Sequence, residues 1–172
     1  MKTNVRANIE LVAQVVIAIA IVITASVLVK RTVFPGQVRG EMPTINAGER
    51  LAFQNIDWAK NEKSLVFFLK KDCPFCTSSA SLYRELVHEA TKRNVKCVAV
   101  FPNTLEDARK YLQYIEVPIE DIYTGPLRDL KISGTPTVLF VDRTGIVRSV
   151  WVGAQSEHEQ EMRDKLVALF DS

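Results

Sequence analysis

The sequence predicts an α/β domain, a mixed sheet covered by helices, preceded by one N-terminal transmembrane helix. Three observations carry that prediction: an uncharged run over 11–29, short wholly apolar runs alternating with helix-period stripes, and two strand-like runs joined by a turn within 137–152. Strands separated by helices imply a parallel component, and a hairpin adds antiparallel edges.

Taken in order, residues 1–10 form a basic segment with Lys2 and Arg6. Residues 11–29 (LVAQVVIAIAIVITASVLV) follow, 19 residues of which 16 are apolar and none is charged. As a helix this run rises about 28 Å, close to the roughly 30 Å hydrocarbon core of a bilayer. A cleaved signal peptide is the competing reading. Its hydrophobic core is usually shorter, about 7–15 residues, and Thr24-Ala25-Ser26 is a weak small-x-small cleavage site. The expected arrangement is therefore an uncleaved anchor. Lys2 and Arg6 before the span are balanced by Lys30, Arg31 and Arg39 after it, so flanking charge does not set the orientation. Residues 30–49, with Pro35, Gly36, Gly40, Pro43 and Gly48, read as a linker, and residues 50–172 as the folded domain.

Within that domain Leu65–Leu69 (LVFFL) is apolar throughout, as a strand covered on both faces requires. Ala80, Tyr83, Leu86, Val87 and Ala90 recur at helical spacing, which predicts an amphipathic helix beginning near Cys73. Val95–Phe101 (VKCVAVF) is a second buried strand. Asn103 and Glu106 are spaced as a helix-capping pair, with Leu105, Ala108, Leu112 and Ile115 as the buried stripe. Thr137–Val141 and Ile146–Val152 form a hairpin about Asp142-Arg143-Thr144-Gly145. Ser156 with Glu159 opens a last helix whose apolar side carries Met162, Leu166, Leu169 and Phe170.

Composition narrows the function. A net charge of +2, from 22 Lys+Arg against 20 Asp+Glu, gives no reason to expect nucleic-acid binding. Hydrophobic content of 47% excludes a disordered chain. Three cysteines cannot build a disulfide-dense scaffold. Cys73 and Cys76 form a CxxC pair, and with only His88 and His158 available a closed zinc site is not expected. Thr77 follows the pair, not histidine, so this is no c-type haem attachment site.

A strand before the CxxC and a helix after it place Cys73 at a helix N-terminus. Unpaired N–H groups and the positive end of the helix dipole there favour the thiolate, the form that reacts. Pro74 suits the first helical position, where a missing N–H costs nothing. Cys76 lies on the same face within disulfide reach. This is what dithiol–disulfide exchange requires, with Cys73 as the exposed attacking thiol and Cys76 as the more buried resolving thiol.

Ile132-Ser133-Gly134-Thr135-Pro136-Thr137, leading into TVLFVDRTG, adds a second motif, and with the CxxC the chain from Arg50 to Ser172 resembles the thioredoxin fold. It looks like a membrane-anchored redoxin domain of the TlpA/ResA type. The resemblance implies a cis-proline at Pro136, opening the strand that faces the CxxC. It also implies a thiol-disulfide oxidoreductase on the extracytoplasmic, periplasmic side of a bacterial inner membrane. Its partners would be protein thiols or disulfides and an upstream redox partner, with no cofactor beyond the Cys73–Cys76 disulfide and no metal. A monomer is expected. Thr135 and Pro136 would hold the partner chain, its backbone pairing with Thr135, and Pro74 and Phe75 would face it.

The chain departs from the thioredoxin pattern twice. Asp72 stands where tryptophan is usual, and Phe67 where a buried aspartate is usual. A carboxylate beside Cys73 opposes thiolate formation while Lys70 and Lys71 favour it, so Asp72 is a candidate for tuning the site. Cys97 reads as an inert core thiol. His88 lies about 22 Å along an unbroken helix from Cys73, too far to serve as its base. His158 reads as a surface residue, and Trp58 and Trp151 as packing at a core edge. Two rival functions share the fold. A thiol peroxidase needs a Pro-x-x-x-Thr/Ser-x-x-Cys pattern that Phe67–Asp72 does not supply. A copper-delivery module would use CxxxC with a distant histidine, whereas two residues separate these cysteines.

Overall fold

A computed structural model describes residues 14, 17–19, 22, 24, 44–53, 56–154 and 159–171. The chain divides into two compact units, Met1–Glu41 and Met42–Ser172. In the first, Gln14, Ile17, Ala18, Ile19, Val22 and Thr24 are helical and exposed. Among the described residues no helix is long and apolar enough to cross a membrane. The span expected over 11–29 lies mostly outside them, as do residues 1–10 and 30–43.

The second unit is built on a five-stranded sheet of order β3-β2-β1-β4-β5. Its strands are β1 (Lys63–Phe68), β2 (Lys96–Phe101), β3 (Asp121–Thr124), β4 (Thr137–Asp142) and β5 (Val147–Val152). β1 lies at the centre, parallel to β2 with Leu65 opposite Cys97, and antiparallel to β4 with Phe68 opposite Thr137. Four helices connect or follow these strands: α1 (Pro74–Ser78), α2 (Ala80–Lys92), α3 (Leu105–Tyr114) and α4 (Glu159–Asp171). β3 was not anticipated. It has four residues, none fully buried, and pairs in parallel with β2 only at the sheet edge, so no apolar run announces it.

Pleating sends alternate β1 side chains to opposite faces, and both faces are covered. Leu65, Phe67 and Leu69 join a core with Leu82, Tyr83 and Leu86 of α2, Tyr111 of α3, and Met162, Leu166 and Phe170 of α4. Val66 and Phe68 pack instead against Ile45, Leu51, Phe53, Ile56, Leu130 and Ile132, none of them in an α-helix. Each large apolar side chain buried this way contributes roughly 1.5–3 kcal/mol.

The second core reaches back into the stretch expected to be linker. Ile45 is 2% exposed and its N–H donates to Lys131 O, while Gly48 N–H donates to Val147 O. Residues 44–49 are therefore part of the domain surface. Its glycines and prolines give the expected linker over 30–49 a loop-like composition, but Ile45 within it is anchored in the core.

Three local details differ from the pattern reading. The helix expected from Cys73 onward is interrupted at Ser79, which is non-helical (φ −92°, ψ 10°) and separates α1 from α2. α3 is capped by Thr104, whose Oγ1 accepts from Asp107 N at 3.2 Å, one residue later than the Asn103–Glu106 pair suggested. Leu105 is turned outward, 39% exposed, and Tyr111 joins the expected Ala108, Leu112 and Ile115 in the buried stripe. Ser156 of the expected last cap lies outside the described residues, whereas Met162, Leu166 and Phe170 are buried on α4 and Leu169 is partly so.

Candidate functional site

β1 delivers the chain to a tight turn. Cys73 N–H donates to Lys70 O at 3.2 Å, and the helix α1 starts at once with Pro74 in its first turn. Cys73 is the N-cap: its Sγ accepts from Cys76 N at 3.3 Å. A sulfur thus occupies the place where a capping oxygen normally satisfies a free helix N–H.

Cys73 and Cys76 lie 2.8 Å apart as free thiols. Cys73 is 7% exposed and Cys76 is fully buried. The attacking thiol is consequently less open than expected, because it lies against the Pro136 loop and donates to Thr135 O at 3.3 Å. The order of exposure is the expected one.

The two thiols differ in acidity. Burial raises the Cys73 pKa, but hydrogen bonds from the side chains of Cys76 and Thr135 and the N–H groups of Cys76 and Phe75 outweigh it, leaving the pKa below the ordinary thiol value. Burial and the neighbouring Cys73 push Cys76 up to about 12. One thiol is prepared to ionise and the other to stay protonated, a difference that fits nucleophile and resolver.

The Thr135–Pro136 peptide bond is cis, as the resemblance implied, and Pro136 is buried with its carbonyl accepting from Gly153 N at 2.7 Å. Thr135 is half-buried beside Cys73, while Pro74 and Phe75 are exposed, Phe75 at 60%. All of the expected site residues therefore gather around one sulfur, apart from Asp72, which is exposed and makes no hydrogen bond or ion pair among the described residues. Lys71 is turned away, paired with Asp107 at 3.1 Å.

Two supports escaped the sequence reading. Asn103 Oδ1 accepts from Lys71 N at 3.3 Å, and the hydroxyls of Thr77 and Tyr111 share a hydrogen bond of 3.1 Å. They tie the CxxC segment to α3 and to the turn before it, across more than 30 positions, where sequence spacing carries no signal. Phe67 packs on Tyr83, with ring centres 5.6 Å apart and planes inclined at 70°, so that part of the site wall is aromatic.

The remaining candidates lie elsewhere. Cys97 is half-buried near the start of β2, and burial pushes its thiol up to about 12. His88 is exposed on α2, His158 lies outside the described residues, and Trp58 packs against the turn at Gly145. Among the described residues no group of three or more His, Cys, Asp and Glu side chains could hold a metal ion.

A family model described as a thioredoxin-like domain matches residues 57–167. No curated protein sequence matches the chain. Among solved structures, a Chlorobium tepidum protein that carries the name thiol:disulfide interchange protein DsbE is 20% identical, with a TM-score of 0.60 over 74% of this chain and 99% of that one. The thioredoxin domain of a thiol-disulfide oxidoreductase from Bacteroides vulgatus is 14% identical, with a TM-score of 0.58 over 72% and 99%. StoA from Bacillus subtilis is 13% identical, with a TM-score of 0.51 over 72% and 97%. At these identities the likeness establishes the fold.

Proposed function

The chain belongs to the thioredoxin-like family, and from that premise we propose that it is a membrane-tethered thiol-disulfide oxidoreductase exchanging electrons with protein thiols through Cys73 and Cys76. The observation that carries the reading is the contrast between the two sulfurs. Cys73 caps a helix, has a lowered pKa and borders the Pro136 loop; Cys76 is buried behind it with a raised one.

The chemistry follows from that contrast. As a reductant, the Cys73 thiolate attacks a partner disulfide, forms a mixed disulfide and expels one partner sulfur as thiolate. Cys76 then attacks Cys73 Sγ, releasing the second partner sulfur and closing the Cys73–Cys76 disulfide. The reverse sequence oxidises a partner dithiol. Thr135, Pro136, Pro74 and Phe75 surround the reacting sulfur and would receive the partner chain, and Asp72 would adjust the local field from the rim.

Tethering rests on the uncharged run over 11–29, and the extracytoplasmic, periplasmic placement on the resemblance to membrane-anchored redoxins. The upstream redox partner would restore whichever state of the pair is consumed. The test is disulfide reduction and dithiol oxidation by the full chain and by Cys73→Ser. Wild-type turnover that Cys73→Ser abolishes is the expected result. Exchange that survives Cys73→Ser, or none by the wild type with either substrate, overturns the reading. The measured potential then gives the direction: a value near roughly −270 mV belongs to a reductant, one near roughly −120 mV to an oxidant.

A further inference from the structure

Apart from tyrosines and cysteines, Ser64 and Thr137 are the only polar side chains buried among the described residues, each 1% exposed. Ser64 lies at the far end of the sheet, opposite Val141. Thr137 lies at the end from which β1 runs on to Cys73. It stands opposite Phe68 on one side and Val152 on the other, so ladders hold its backbone from both directions. β4 has no need of its hydroxyl, since Val138, Leu139, Phe140 and Val141 after it are apolar and buried. A buried hydroxyl requires a partner, and Thr137 Oγ1 donates to Gly134 O at 2.8 Å.

That bond belongs to a set. Gly134, Thr135 and Pro136 present three successive carbonyls, which accept from Thr137 Oγ1, Cys73 Sγ and Gly153 N respectively. The hydroxyl and the amide stay in place through the exchange chemistry. The thiol does not, because Cys73 loses its S–H when it ionises or joins a partner sulfur. From then on Thr135 is held through its neighbours.

The Gly134–Thr135 peptide is trans, so its C=O and N–H point in opposite directions within one plane. With Gly134 O fixed on the buried hydroxyl, Thr135 N–H is directed away from Thr137. This N–H has no hydrogen-bond partner among the described residues. Side-chain crowding does not fix the plane either: a Cβ added at Gly134 would meet only Val152 Cγ1, at 4.0 Å.

We propose that Thr137 is a positioning residue, its buried hydroxyl holding Gly134 O so that Thr135 N–H is aimed at a backbone carbonyl of the partner chain. The inference rests on the exchange reading above and deepens it: the partner is an extended peptide segment recognised through its main chain. A hydrogen bond weakens steeply as its angle falls toward about 120°, so an unfixed peptide plane offers the partner a poorer donor. Thr137 touches neither the partner nor the reacting sulfurs.

The test follows exchange between the reduced full chain and two disulfides. One is a linear peptide carrying a disulfide; the other is hydroxyethyl disulfide, which has no amide to pair with Thr135. In Thr137→Val, which keeps the shape and loses the hydroxyl, the rate constant with the peptide should fall about fivefold, within the range for one neutral hydrogen bond. The rate constant with hydroxyethyl disulfide should not change. Thr137→Ser, which keeps the hydroxyl, should restore the peptide rate. An unchanged peptide rate in Thr137→Val, equal slowing with both disulfides, or a Thr137→Ser as slow as Thr137→Val overturns the inference. Should Thr137→Val not fold, Thr137→Ser against Thr137→Ala, which differ by the hydroxyl alone, decides on the same terms. A wild type that reacts with neither disulfide overturns the exchange reading itself.

Discussion

A sulfur at a helix N-cap does what an oxygen would do there, and it can also leave as an anion. Cys73 accepts from Cys76 N, so the first turn of α1 and the thiolate stabilise each other. Because its pKa is lowered in the fold, the thiolate fraction of Cys73 persists below the pH at which a free thiol loses it; Cys76, raised to about 12, stays protonated across the same range. Alkylation of the reduced chain should therefore modify Cys73 first, and at pH 6–8 almost alone, as peptide mass mapping will show. Cys76→Ser should keep that reactivity and accumulate mixed disulfides. Labelling of Cys76 before Cys73 would reverse the assigned roles. The spacing of the two cysteines made this pair legible. The residues that brace it, Asn103, Thr77 and Tyr111, were not, because their contacts are made by folding and leave no periodic trace.

The turn from β4 to β5 shows how one carboxylate can organise an element. Asp142 Oδ1 accepts from Thr144 N at 2.8 Å, from Thr144 Oγ1 at 2.6 Å and from Ile146 N at 3.1 Å, and Oδ2 accepts from Arg148 Nε at 2.7 Å. Burial alone raises the pKa, yet these bonds hold it at about 2, below the ordinary value of 3.8. A depressed pKa contributes stability that is complete above the unfolded value and is lost as pH falls through the folded one. Asp142→Asn should thus lower the thermal midpoint at pH 7, by roughly 1–3 kcal/mol of stability. The deficit should shrink between about pH 4 and pH 2, as paired melting curves will show; a deficit constant over that range contradicts the electrostatic origin. Gly145, φ +78°, closes the turn against Trp58: an added Cβ would lie 2.9 Å from Trp58 Cδ1. Asp-x-x-Gly between two apolar runs announced this hairpin. β3 and the Ser79 break were hidden for the opposite reason: β3 is too short to carry a period, and a one-residue interruption leaves the apolar stripe of α2 unaltered.

At the scale of the whole molecule, the uncharged run over 11–29 and the oxidoreductase domain give a topological prediction. Alkaline phosphatase fused after Ser172 should be active in bacterial cells, and a fluorescent protein that matures only in the cytoplasm, fused at the same place, should stay dark. The converse pair of results would put the domain inside the cell. The two-layered core was readable from β1 alone, whose unbroken apolar run demands cover on both faces. What supplies the second cover was not, because residues 44–53 hold their few apolar side chains without a period. That segment has a mechanical consequence. Ile45 N bonds to Lys131 O, Gly48 N to Val147 O, Val147 N to Glu49 O and Leu51 N to Gly145 O, and Lys131 pairs with Glu49. Gly145 and Val147 lie at the end of the sheet where β1 begins, since Lys63 pairs with Asp142, whereas Cys73 follows the other end of β1. Tension arriving along the chain from its amino-terminal side meets several fastenings before it meets β1. The strap works as strain relief on a cable does, letting the frame carry the pull while the reacting sulfur stays slack.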